Sequence, residues 1–185
     1  MRDSTKALKP QARPKLGSDA PPAVASRGTL LWRALVVAIS VAVFVADRVT
    51  KHLVERHIAV GAVVPVVPGF FNLINTKNSG AVFGLFSDSG IWWKTPLLIG
   101  VSAALLVAVV MLVIRTHNSQ WATNVGIALI MGGALSNLYD RVRVGMVEDF
   151  LDFYFRSYHW YTFNLADSAI VVGTGLVILQ VLFPG

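Results

Sequence analysis

Four stretches of this chain are long and apolar enough to cross a bilayer, and little else can be done with them. Residues 30–46 are interrupted only by Arg33, and residues 95–114, 121–139 and 168–183 carry no charge at all. Runs of about 18 or more apolar residues read as transmembrane helices. Hydrophobic residues make up 55% of the chain and charged ones 14%, against about a quarter charged in ordinary soluble domains. The expected fold is an all-α membrane protein of four transmembrane helices. The first run is the shortest, since its uncharged part is Ala34 to Ala46 and Arg33 must snorkel to the interface. A cleaved signal peptide fits it poorly: no small-residue cleavage site follows, and Asp47-Arg48-Val49-Thr50-Lys51 keeps helical spacing.

Charge orients the helices. Arg2, Lys6, Lys9, Arg13, Lys15, Arg27 and Arg33 precede or open the first run, against Asp3 and Asp19. By the positive-inside rule that end is cytoplasmic, and four spans return the C-terminus to the same side. Residues 47–94 and 140–167 then lie outside. Residues 1–28, rich in Pro, Ala and Ser, are expected to be a disordered basic cytoplasmic arm, and residues 29–185 one membrane domain. A basic arm beside a membrane points to anionic lipid and topology rather than nucleic acid. In the first outer segment, residues 61–76 are β-branched and aromatic, punctuated by Pro and Gly, and predict a small extracytoplasmic β element. Trp92, Trp93, Trp121 and Trp160 are placed as interface aromatics.

Several chemistries lack their residues. The chain has no cysteine, which removes thiolate nucleophiles and Cys-type zinc sites. His-Glu-x-x-His, Gly-x-Ser-x-Gly and P-loop patterns are missing, and no metal or cofactor is expected. What remains is a pair of acids at the edges of apolar segments, Asp149 and Asp167, joined by a short aromatic loop. Ionisable groups there are costly and are functional candidates by default. Two carboxyls that nearly touch cannot both ionise. One can then activate a water while the other polarises a carbonyl and protonates the leaving amine. Singly, each has a plain explanation: Asn164 with Asp167 resembles a capping box, and Asp149 sits beside Glu148 and Asp152 as a loop acid. Glu148 is expected to raise the pKa of Asp149 by like-charge repulsion.

Asp47 and Lys51 have the spacing of a helical ion pair, or hold the site segment or a lipid headgroup. Asp140 and Arg141 read as structural support. Asn78, Asn137 and Asn164 are neutral groups that could orient the acids or bind substrate backbone, or serve turns and caps. A proton-coupled transporter and a non-enzymatic membrane scaffold are the rival classes at this point.

Five motifs in order narrow the choice: Asp47 to Lys51, Asn78-Ser79-Gly80-Ala81-Val82-Phe83-Gly84, Gly132 to Arg141, Val147 to Phe150, and Phe163 to Ser168. Together they resemble the signal peptidase II family. The resemblance implies a four-helix aspartic endopeptidase of the bacterial inner membrane with its site near the outer face. It implies cleavage of diacylglyceryl-modified prolipoproteins before the lipidated cysteine, and inhibition by globomycin-type cyclic peptides. It puts the catalytic pair on Asp149 and Asp167, with support or substrate binding from Asp47, Lys51, Asn78, Gly80, Asn137, Asp140, Arg141 and Asn164. Ser136 stands where the family usually has Gly, Glu148 is an extra acid, and Tyr161 takes a position that is often Pro.

Overall fold

The computed structural model describes residues 27–80, 93–115 and 120–183. The basic arm up to residue 26, the stretch 81–92 with Ala81 to Gly84 and Trp92, and residues 116–119 and 184–185 lie outside the described residues. In chain order the elements are α1 (Arg27–His57), β1 (Val63–Val67), β2 (Phe71–Asn78), α2 (Lys94–Arg115), α3 (Trp121–Val144), β3 (Val147–Phe155), β4 (Tyr158–His159) and α4 (Leu165–Leu182).

Each expected apolar run is a helix. Leu30–His57, Lys94–Ile114 and Leu165–Leu182 are long and apolar enough to cross a membrane. The run at 121–139 is helical too, but α3 does not join them on apolarity. It is the central helix, packed against α4, α1 and α2, and it buries Asn124, Ser136, Asn137 and Asp140. A helix that faces protein on several sides can carry polar groups that a lipid-facing helix cannot. The first helix continues well past residue 46. Its extension turns Asp47 and Lys51 inward, both fully buried. Arg33 finds a partner on a neighbouring helix, donating to the Ile114 carbonyl at 2.6 Å near the end of α2.

The α3–α4 contact depends on residues without side chains. A Cβ on Gly126 would meet the Gly173 carbonyl oxygen at 2.7 Å, and one on Gly133 would collide with the Ala166 carbonyl oxygen. Small residues allow such backbone approach between membrane helices. Gly133→Ala is therefore expected to cost about 1–3 kcal/mol by overpacking, read as a lowered unfolding temperature in detergent. An unchanged temperature would mean the two helices part without cost.

Strands from both outer segments make one antiparallel sheet, ordered β1-β2-β3-β4. The β element expected at 61–76 supplies only half of it. The stretch read as an aromatic loop after Asp149 is strand β3, turned into β4 through Arg156, whose φ is 56°. Acids at 148, 149 and 152 interrupt the apolar alternation that would have announced a strand. In the sheet they alternate in direction like any strand residues. Thr76 pairs with Asp149 and Lys77 with Glu148. Phe150 packs with Val54 and Ile58 of α1, and Leu73, Leu151 and Leu165 close over them. That cluster fixes the sheet above the extended end of α1 and so places β3 beside the start of α4.

Candidate active site

The two aspartates arrive from different elements. Asp149 projects from β3, and Asp167 is in the first turn of α4. Asn164 is the N-cap of α4. Its side-chain oxygen accepts from the Asp167 amide at 2.8 Å, while the Asp167 carboxyl accepts from the Asn164 amide at 3.4 Å. The capping box anticipated from sequence is thus present, but it is only part of what Asn164 does. Its Nδ2 also donates to Asp149 Oδ1 at 2.8 Å and to the Glu148 carbonyl at 3.2 Å. One asparagine therefore holds both candidate acids.

Two further amides complete the cradle. Asn137 Nδ2, from α3, donates to Asp167 Oδ1 at 2.7 Å, and Asn137 Oδ1 accepts from Asn164 at 3.2 Å. Asn78 Nδ2, at the end of β2, donates to Asp149 Oδ2 at 3.0 Å. The Gly80 amide donates to Asn78 Oδ1 at 2.8 Å, which turns the NH₂ end of Asn78 toward the carboxylate. Asp149 is 1% exposed. Burial first, and the charge of Asp167 second, push its pKa up to about 7, against the pull of the Asn78 and Asn164 hydrogen bonds and of Lys51. A carboxyl that holds its proton at neutral pH beside a second carboxyl has the makings of a general acid–base pair.

Beneath the pair lies a buried charge network. Lys51 Nζ is 2.6 Å from Asp47 Oδ2, 2.7 Å from Asp140 Oδ2 and 3.4 Å from Asn137 Oδ1. The expected Asp47–Lys51 ion pair is therefore formed, and it does more than stabilise its own helix. Asp47 Oδ1 accepts from the Ala166 amide at 2.9 Å, which clamps α1 onto the N-terminus of α4 just before Asp167. Asp140 is shared between Lys51 and Arg48, and the Arg48 guanidinium lies 5.0 Å from the Tyr139 ring centroid. Arg141 donates to the Asn137 carbonyl at 3.3 Å, and its charge acts on Asp167, Asp149 and Asp140.

All ten sequence-selected residues thus belong to one connected region. Arg48 and Ser136 were not selected. Sequence alone assigns Arg48 no role of its own, and its partner Asp140 lies 92 positions away. Ser136 reads as a small packing residue, yet its Oγ donates to Asp47 Oδ2 at 2.6 Å. The expectation for Glu148 needs correction. Neighbours on a strand face opposite ways, so Glu148 acts on Glu55 rather than on Asp149. Burial and the Glu55 carboxyl push its pKa up to about 8. Among the described residues no three His, Cys, Asp or Glu side chains are grouped to hold a metal ion.

Residues 39–183 match the family model described as signal peptidase (SPase) II. The chain belongs to the signal peptidase II family. It is 41% identical over 155 residues to the lipoprotein signal peptidase of Solibacter usitatus, covering 84% of this chain and 93% of the relative. It is 40% identical over 146 residues to that of Klebsiella pneumoniae strain 342, covering 79% and 87%. Two solved structures described as bacterial membrane enzymes, at 2.3 and 1.9 Å resolution, are both 32% identical to it. Their TM-scores are 0.72 and 0.71, with 80% and 82% of this chain and 88% and 95% of theirs covered. This signal peptidase II chain is therefore a protease with the fold of membrane enzymes, and the matched region contains every residue of the amide cradle.

Proposed function

We propose that the protein is an aspartic endopeptidase that removes signal peptides from diacylglyceryl-modified prolipoproteins, cutting before the lipidated cysteine. It acts as a four-span protein of the bacterial inner membrane, with both termini cytoplasmic and the site near the outer face. The observation that carries this reading is the pairing of a buried carboxyl, Asp149, with a half-buried one, Asp167, by three amides, with the Asp149 pKa raised to about 7. The names of the relatives supply the substrate class.

In this reading a water lies between the carboxyls. The ionised one removes a proton from the water as its oxygen attacks the scissile carbonyl carbon. The protonated one donates to the carbonyl oxygen, giving a neutral tetrahedral diol. Collapse of the diol breaks the C–N bond: the proton taken from water passes to the leaving amine, and a diol hydroxyl returns a proton to the carboxylate that had given one. Asn78, Asn137 and Asn164 fix the carboxyls without adding charge. Asp47, Lys51, Asp140 and Arg141 hold the helix ends that carry Asp167 and Asn137.

The defining experiment incubates purified protein with a diacylglyceryl-modified precursor and an unmodified control and weighs the products. Cleavage confined to the modified precursor, retained in EDTA and blocked by a globomycin-type cyclic peptide, is expected. Equal cleavage of both precursors would overturn the lipid requirement, and loss in EDTA the metal-free dyad.

The proton count gives a pH dependence. Above a pH of about 7 Asp149 loses its proton, and the pair loses the proton its general acid needs, so the rate falls on the alkaline side. The Asn78 hydrogen bond favours ionised Asp149. Asn78→Ala therefore moves that alkaline limb to higher pH while lowering the maximal rate. An alkaline limb that stays in place in a pH–rate profile of this variant would separate Asn78 from the titrating pair.

A further inference from the structure

The beginning of β3 separates two polar environments. Asp149 faces the amide cradle, whereas Glu148 faces a cavity of about 170 Å³ on the other side, lined also by Arg48, Glu55, Lys77, Asp140 and Arg143. One water needs only about 10–15 Å³ of such space, so a small polar headgroup fits. The lining holds three cations and three carboxyls. Arg48 and Asp140 are paired with each other. Lys77 and Arg143 make no side-chain ion pair or hydrogen bond among the described residues. Glu148 is 7% exposed, and its Oε1 has no hydrogen-bond partner among the described residues. Glu55, in the same cavity, is a second acid, to which Glu148 hydrogen-bonds while it holds its proton.

A buried carboxyl oxygen without a donor is costly. A guest that suits this cavity brings a cationic donor to Glu148 and Glu55 and an anion to Lys77 and Arg143. A purely anionic guest would oppose Glu55 and leave Glu148 Oε1 without a donor, and a purely cationic one would oppose the two free bases. The cavity also sits where α3 passes into β3, beside the exposed apolar side chains of Val142 and Val144, a surface along which acyl chains can lie. We propose that this cavity binds the headgroup of an aminophospholipid, with its ammonium on Glu148 and Glu55 and its phosphodiester between Lys77 and Arg143. A bound headgroup bridges α1, α3, β2 and β3, and so braces the strand that carries Asp149. The site lies on the far side of β3 from the aspartate pair and does not rest on the hydrolytic reading.

The test is native mass spectrometry of the purified protein offered phosphatidylethanolamine, phosphatidylcholine or phosphatidylglycerol with identical acyl chains. Phosphatidylethanolamine should be retained about tenfold better than either, because choline has no N–H to donate and glycerol no positive charge. Glu148→Gln, which keeps the shape but brings its own donor, should reduce that preference to less than about twofold, and Lys77→Ala, which removes a cation from the phosphodiester common to the three lipids, should weaken retention of each by a similar factor. Free phosphoethanolamine at equal concentration should leave the lipid bound. Equal retention of the three lipids, or better retention of phosphatidylglycerol, overturns the proposal. So does a preference that survives in Glu148→Gln, retention of all three lipids left unchanged by Lys77→Ala, or displacement of the lipid by free phosphoethanolamine.

Discussion

Asp149→Asn and Asp167→Asn each lower single-turnover cleavage by about 10³-fold or more, the scale of losing a positioned acid or base. Both proteins remain folded, because Asn keeps the shape of each carboxylate and its one oxygen still accepts from one of the two N–H groups there, the other hydrogen bond being lost. Stability provides a sharper signature at Asp149. Its folded pKa, about 7, lies above the unfolded value of about 3.9. Between those values the folded chain binds more protons than the unfolded one, so stability falls as pH rises and levels off above about 7. Asp149→Asn removes that slope. The inactive variant should therefore unfold at a higher temperature than the wild type at pH 8, with the difference narrowing toward pH 4. A variant that is inactive and equally destabilised at both values would point to misfolding, not to loss of a proton-handling group.

Lys51→Met is the second large effect. It leaves Asp47 and Asp140 buried without their shared cation, and breaking a buried ion pair typically costs about 3–5 kcal/mol. The rate should fall as well. Lys51 reaches Asn137 at 3.4 Å, and Asn137 holds Asp167 at 2.7 Å. Adding Asp47→Asn to Lys51→Met separates the two losses. The added amide removes one stranded charge and can still accept from Ala166 N, while Arg48 continues to neutralise Asp140. The double variant should regain a substantial part of the lost thermal stability but little of the rate. Full recovery of both would mean that Lys51 serves only to neutralise Asp47.

Much of this architecture is legible in the sequence because the bilayer limits the choices. The apolar runs mark four helices, and the Asp47–Lys51 spacing marks an ion pair on one helix face. The central position of α3 is less legible. Its Asn124, Ser136, Asn137 and Asp140 lower its apolarity, and only the packing shows that they face protein. Strand β3 is hidden for a related reason: Glu148, Asp149 and Asp152 break the expected alternation, and their burial depends on partners elsewhere. Asp152, for instance, is held by Asn72 Nδ2 at 2.8 Å and His159 Nδ1 at 2.9 Å. Local spacing finds contacts within one turn of helix. It cannot find Arg48–Asp140, Ser136–Asp47 or Asn78–Asp149, which are separated by 92, 89 and 71 positions. The aspartate pair itself stood out by cost and by family resemblance. The arrangement in which Asn164 serves both acids is visible only once β3 and α4 are side by side.

The central claim is that Asp149 and Asp167 together activate water on a lipid-modified precursor. Its most direct test is a single-turnover reaction of a diacylglyceryl-modified precursor with wild type, Asp149→Asn and Asp167→Asn, each shown by thermal unfolding to be folded and followed by product mass. The account predicts complete conversion by the wild type while both variants return intact precursor over the same period. Cleaved product at a near wild-type rate from either folded variant would contradict it.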